Sequence, residues 1–345
     1  MSTLDSALLN LSPETKALIT RHLWGSHTVQ QYLNTYGIDL RAYWKYYAEE
    51  CSHALHDGGR HISARTHHHV LEIAQQLKGA LPRETLRDSL RQSLPKPTVF
   101  NEDGLLDSSI DLAARLLLML DFGILQYGFS GRSQFNWDKG TLKDFVYSHF
   151  SSPPAHTHEG VKLEKIFNGR NLRRIAGIEI VWTNNLADHL RMTDDDTKVT
   201  IFHHASFLEL QLHNPLFPPN LIYETLHTLA LFFPQNDAQT RKWSSKVSAL
   251  HNLDPNLARC GHLKTDDRQV SKFTFWHDRL VILKQVFDEA RPRTLAQWWC
   301  DRRNGVQWYT FWVAILVLVL TLFFGLVQCV EGGLQVYYTM HSGGQ

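Results

Sequence analysis

"QWYTFWVAILVLVLTLFFGLVQCVEGG", residues 307–333, is the stretch on which the reading of this chain turns. Either it crosses a membrane or it forms the core helix of a water-soluble domain. Residues 308–327 include no charged side chain. A helix of that length rises about 30 Å, the hydrocarbon thickness of a bilayer. Thirteen of residues 311–327 are Leu, Ile, Val or Phe, which favours insertion by roughly 4–8 kcal/mol. Thr310 and Thr321 can bond back to the helix backbone, so neither opposes insertion. Trp308, Tyr309 and Trp312 mark one end, and Tyr337 and Tyr338 lie beyond the other, as interfacial aromatic belts do. The pattern predicts a transmembrane helix over 307–330, anchored by Trp308, Phe311, Trp312, Leu316, Leu320, Phe324 and Val327.

The flanks give an orientation. Arg291, Arg293, Arg302 and Arg303 precede the span and no Lys or Arg follows it. The positive-inside rule then places the N-terminal part in the cytosol and residues 331–345 in the lumen or outside. A span this near the C-terminus predicts tail-anchored topology. A tail without basic residues fits an endoplasmic-reticulum or secretory-pathway membrane better than the mitochondrial outer membrane. The juxtamembrane segment 293–306 suits anionic headgroups, and Cys300, beside Trp299, is either a palmitoylation candidate or an inert thiol. The span has no ionisable residue and shows no small-xxx-small face, which counts against an oligomeric pore.

The rest of the chain has the composition of a folded protein. Of 345 residues, 43% are hydrophobic and 20% charged, and the formal net charge is +1. That charge supplies no basic excess for nucleic acid. Cys51, Cys260, Cys300 and Cys329 form no CxxC pair, which fits a reducing compartment. The first residues carry no secretory signal pattern.

The expected fold class is mainly α with a small β element. Residues 1–150 read as a helical region. Ser12 caps one helix with Pro13 at its first position. Further helices are expected from Ser26 to Gly37, from Asp39 to Gly58 and Gly59, over 66–79 and from Pro82. Residues 95–104 read as a loop, with a buried helix over about 109–122. That helix is too short to span a bilayer and carries Asp111 and Arg115. Residues 151–160 read as a linker. Within 161–292, residues 177–183 and 198–204 alternate as strands. A helical stripe joins Trp276, Leu280, Leu283, Phe287 and Ala290.

Two constellations are candidates for chemistry. His53, His56 and Asp57 are metal-ligand types, but without zinc-site spacing. Asp188, His189 and His203 would support metal binding or acid–base work if the strands bring them together. Against this, Asp194 to Asp196 read as a solvated turn, and alternation along a strand would send His203 and His204 to opposite faces. No Walker loop, GxSxG, HExxH or kinase set is present, and no cofactor is indicated.

The segments "LLLMLDFG", "NLRRIAGIEIVWTNNLADHLRMTDDDTKVTIFHHASFLE" and "FWHDRLVILKQVFDEARPRTLAQWWCDRRNGVQWYTFWVAILVLVLTLFFGLVQCVEGGLQVY" resemble a large group of filamentous-fungal proteins. These combine a helical cytosolic region with one C-terminal span, and some carry a CorA-like label. The resemblance covers the chain from about Leu116 onward. It implies an accessory role, in hyphal surface, self-recognition or virulence. This chain has one span and no Gly-Met-Asn after it, so it lacks the parts of a magnesium channel. The sequence thus supports a membrane-anchored, non-enzymatic adaptor that contacts the lipid bilayer and a cytosolic protein partner, not nucleic acid. The alternative is a membrane-tethered, metal-dependent enzyme using Asp188, His189 and His203.

Overall fold

The computed structural model describes residues 3–25, 37–93, 101–123, 135–151, 160–292, 294–301, 303 and 305–342. The helix expected from Ser26, most of the 151–160 linker, and Arg293 and Arg302 lie outside the described residues. The chain divides into two units. The first comprises Met1–Arg173 and Ile178–Glu289, the second Arg174–Gly177 and Ala290–Gln345.

In the first unit, α1 (Pro13–Trp24) opens where the sequence places it. The Ser12 hydroxyl accepts the Thr15 N–H at 3.1 Å, which satisfies one of the free donors of the first turn. α2 (Arg41–Ala54) stops before the glycines, and a separate turn, His56–Gly59, follows it. α3 (His67–Lys78) is capped by Thr66, and α4 (Arg83–Ser93) follows Pro82. α5 runs Glu102–Leu118. It starts earlier than the apolar pattern suggests because the Asn101 side chain accepts the Gly104 N–H at 3.1 Å. Residues 102–104, expected as loop, are therefore helical. α5 also ends earlier, because Met119 turns left-handed at φ +51°.

α5 is the central element and packs on α2, α3 and α4. Leu106, Ile110, Ala113 and Leu117 are buried along it. Its charges are paired. Arg115 Nε donates to Glu50 at 2.7 Å and its Nη1 to the Phe122 carbonyl at 2.7 Å. Asp111 accepts from Arg83 at 2.6 Å. Pairing is what lets ionised groups stay inside the fold.

After α6 (Leu142–Phe150) comes the sheet: β1 (Glu179–Thr183), β2 (Met192–Thr193) and β3 (Lys198–Phe202). The order is β1-β3-β2, with β1 parallel to β3 and β2 antiparallel to it. Asp194, Asp195 and Asp196 make the exposed β2–β3 turn, all at positive φ (53°, 51° and 62°), which Asp tolerates better than most residues. Then follow α7 (Ala205–Gln211), α8 (Leu221–Phe232), α9 (Ala238–His251) and α10 (His277–Glu289). α10 buries Leu280, Leu283 and Phe287 as its stripe predicts, while Trp276 precedes the helix and Ala290 follows it. The two sides of the 151–160 segment share this unit. Gln211 Nε2 donates to the Leu117 carbonyl at 2.8 Å, and the Tyr43 and Phe207 rings stack at 5.6 Å.

In the second unit, α11 (Leu295–Cys300) begins with a reciprocal cap. Gln297 N–H donates to Thr294 Oγ1 at 3.2 Å, and Thr294 N–H donates to Gln297 Oε1 at 3.0 Å. α12 runs Gly305–Ser342, about 57 Å at 1.5 Å per residue. It continues through Gly332 and Gly333, so residues 331–342 of the expected tail are helical. α12 is long and apolar enough to cross a membrane, and none of its most apolar 18-residue window is buried. That answers the opening alternative: the segment is not a core helix.

Candidate functional site

The aromatic residues expected at the membrane interface are arranged by contacts within the second unit. The Trp298 ring stacks on Phe311 at 4.4 Å, and Trp299 meets Trp312 edge-on at 4.8 Å. Trp308 Nε1 donates to the Trp299 carbonyl at 3.3 Å. These contacts fasten α11 to the first turns of α12. Arg303 donates to Asp301 Oδ1 and Oδ2 at 2.9 and 2.8 Å and to the Ala290 carbonyl at 2.5 Å. It works as a local staple, whereas Arg291 is exposed. Thr310 and Thr321 donate to the carbonyls of Val306 and Val317 at 2.9 and 2.8 Å, the intrahelical satisfaction that apolar surroundings demand. Among the residues expected to anchor the span, Leu316, Leu320 and Phe324 are exposed, and Trp308, Phe311, Trp312 and Val327 are partly covered.

The histidines of the enzyme alternative are buried and already engaged. His189 is fully buried. Its Nδ1 accepts the Phe202 N–H at 3.2 Å, so the proton sits on Nε2, which donates to Thr228 Oγ1 at 2.7 Å. Trp276 closes over it at 4.9 Å. Burial, reinforced by the nearby Arg279 charge, holds the imidazole neutral well below its ordinary range. Asp188 is turned elsewhere, accepting from Asn185 at 3.1 Å and from Arg191 at 3.2 Å. His203 accepts the Asp254 N–H at its Nδ1, 3.4 Å away. The side-chain hydrogen bonds of the three candidates therefore go to different residues.

His203 and His204 do not point to opposite sides, contrary to the expectation from strand alternation. Both are buried, and their rings stack at 4.0 Å. The reason is that β3 ends at Phe202. His204 lies at φ −82°, ψ 68° at the start of α7, outside the pleat that would have separated them. His204 Nε2 donates to Asn184 Oδ1 at 2.8 Å. Burial pushes His203 down to about 3, and burial together with His203 holds His204 well below its usual value.

A pH dependence follows. The unfolded chain takes up protons at these imidazoles near pH 6.5, while the folded chain does not until far lower. Stability from His203 is therefore complete above pH 6.5 and is lost as the pH falls from 6.5 towards 3. Asp254 and Glu209 oppose the trend. Burial raises their carboxyls to about 6 and about 7, so the fold gains stability as they protonate. The difference between wild type and His203→Gln isolates the histidine. Below pH 6.5 the variant's stability should fall less steeply, by about 1 kcal/mol per pH unit. Thermal melts of the detergent-solubilised protein at about pH 7, 6 and 5 measure this across the range where the free imidazole titrates, and parallel slopes would mean that His203 is not held neutral.

The metal candidates are at the surface. His53 is on the last turn of α2, His56 opens the turn after it, and both are exposed. The Asp57 side chain lies outside the described residues. Among the described residues no three His, Cys, Asp or Glu side chains converge as metal ligands.

Sequence reasoning missed a buried polar cluster beside His203. Asp254 accepts the Ser206 N–H at 2.6 Å, the Ser206 hydroxyl at 2.9 Å and the Asn256 N–H at 2.9 Å. Asn256 Nδ2 donates to Ser206 Oγ at 3.0 Å. Ser206 is fully buried, and His203 bonds to the Asp254 backbone instead of to the serine. This is a structural knot joining α7 to the turn after α9, not a nucleophile with its base. The Asp-Pro-Asn run at 254–256 marks a capped turn in the sequence, but nothing in it points to Ser206. No protein-family model, no curated protein and no solved structure matches the chain.

Proposed function

We propose that this chain is a single-pass membrane protein whose first unit is a non-enzymatic adaptor module held on the cytosolic side. The observation that carries the reading is α12: a helix of spanning length, apolar and unburied. Exposing such a surface to water is unfavourable by about 25 cal/mol per Å², so it requires a bilayer or an equivalent apolar cover. Trp308 and Tyr337 are about 43 Å apart along the helix axis, close to the bilayer thickness including both interfaces, about 40–45 Å. The adaptor role is supported by the polar core. His189, His203, Ser206 and Asp254 use side-chain atoms to hold backbone and neighbours, which counts against the enzyme alternative at His189 and His203. An endoplasmic-reticulum or secretory-pathway membrane and an accessory role like that of the fungal proteins it resembles belong to the same proposal.

Topology is the test. A glycosylation acceptor appended after Gln345 should be glycosylated in cells, and one placed before residue 3 should not. The reverse pattern would invert the orientation. Neither site modified, with the protein recovered in the soluble fraction, would remove the anchor.

A further inference from the structure

The short helix α11 turns its apolar side chains outward. Its exposed residues, Leu295, Ala296 and Trp299, are all apolar, while its one polar amide, Gln297, is partly covered. Leu295 is 66% exposed and Trp299 54%. Four residues apart, they share one face. A helix that faces water shows the opposite pattern, and a helix this short is not stable in water by itself. Gln297 is turned inward, where a Cβ built at Gly177 would lie 2.9 Å from its Nε2. The Arg174–Gly177 segment of the second unit therefore rests against α11.

The depth of α11 follows from what it touches. With the bilayer centre midway between Trp308 and Tyr337, Phe311 and Trp312 are about 16–17 Å from it along the helix axis. Half the hydrocarbon thickness is about 15 Å. The Trp298 and Trp299 rings packed on these two residues are therefore at the headgroup level, where tryptophan is favoured. The outward face of α11 is continuous with the apolar surface of α12 and meets the same cover. Charge points the same way. Arg174 and Arg291 of the second unit are exposed, and among the described residues neither forms an ion pair. Asp301, beside α11, is already paired with Arg303 at 2.8 Å.

We propose that the second unit reads the membrane surface as well as anchoring to it. α11 lies in the headgroup layer with Leu295, Ala296 and Trp299 towards the lipid, and Arg174 and Arg291 attract anionic headgroups. The occupant of this face is the bilayer surface of the same membrane that α12 enters, because the ring contacts hold α11 at that depth. Arg174 is remote in sequence from the juxtamembrane segment, and only the fold brings its segment against α11.

The inference rests on the membrane reading, and its test separates the two. Full-length protein is reconstituted into nanodiscs of phosphatidylcholine, or of phosphatidylcholine mixed with phosphatidylserine. Hydrogen exchange at the amides of residues 294–301 is then followed by mass spectrometry. Wild-type exchange in this segment should be slower in the anionic discs by about fivefold or more, the effect of one arginine near such a surface. Arg174→Gln/Arg291→Gln should exchange alike in both lipids and match wild type in phosphatidylcholine. Leu295→Asn should exchange severalfold faster than wild type in both. Unchanged exchange across α5 and α8 checks the fold of each variant. Exchange at 294–301 that is indifferent to lipid charge, or indifferent to Leu295→Asn, overturns the proposal and leaves the anchor standing. Wild type recovered free of the nanodiscs removes the anchor and the proposal with it.

Discussion

Replacing Leu318 and Leu320 together by arginine should release the protein from membranes. Each substitution exchanges a residue that favours insertion by about 0.5 kcal/mol for one that opposes it by about 3 kcal/mol near the helix centre. Two such changes shift the balance by about 7 kcal/mol, comparable to the roughly 4–8 kcal/mol by which residues 311–327 favour insertion. The expected result is a shift from the carbonate-resistant pellet to the soluble fraction, with Leu318→Ile/Leu320→Ile unchanged. Both residues are exposed on α12, so neither change breaks packing inside the protein, and a protease-digestion pattern like that of wild type checks the first unit. A double-arginine protein that stays in the carbonate pellet would place these residues outside hydrocarbon and contradict the anchor.

How much of this fold can be read from the residues alone depends on the range of the signal. Local signals read well. Ser12 caps its helix, as the sequence predicts, through a contact three residues away, and strands β1 and β3 follow from β-branched and aromatic alternation. The long apolar helix α12 is legible for the same reason: length and apolarity are properties of one contiguous stretch. The apolar pattern misplaces α5 at both ends, because its boundaries depend on side-chain geometry at Asn101 and a left-handed residue at Met119. Both positions permit other conformations. The relation of His203 to His204 fails for a sharper reason. Alternation applies only within a strand, and the end of β3 is set by its pairing with β1, where Thr183 faces Phe202.

The candidate site was the least legible part. The partners of Ser206 and His203 are 48 and 51 residues away, and no periodicity connects them. Histidine and aspartate in proximity along a chain suggest chemistry by type. Burial then decides their use, because an unpaired polar group inside the fold is costly and its bonding groups are recruited for structure.

The largest stability effect should come from Glu224. Its carboxylate is buried and accepts three successive backbone N–H groups, those of Thr274, Phe275 and Trp276, each at 2.8 Å. These amides lead into α10 and form a concave anion-binding turn. Next to it on α8, Thr225 Oγ1 accepts Trp276 Nε1–H at 2.9 Å. One pair of neighbours on α8 thus fixes both the backbone and the largest ring ahead of α10. Glu224→Ala strands three N–H donors, at least that of Trp276 fully inside the fold, and removes charge-assisted bonds, at a cost of about 3–5 kcal/mol. For a chain of this size that is a fall in Tm of roughly 10 °C. Glu224→Gln keeps the shape but turns an NH2 group towards one or more of the same donors, so it should recover less than half of the loss. Tryptophan fluorescence during a thermal melt, summed over the ten tryptophans of the chain, follows the unfolding. A melt within about 2 °C of wild type for Glu224→Ala, an allowance set at about 1 kcal/mol, would show that the turn before α10 holds without its carboxylate.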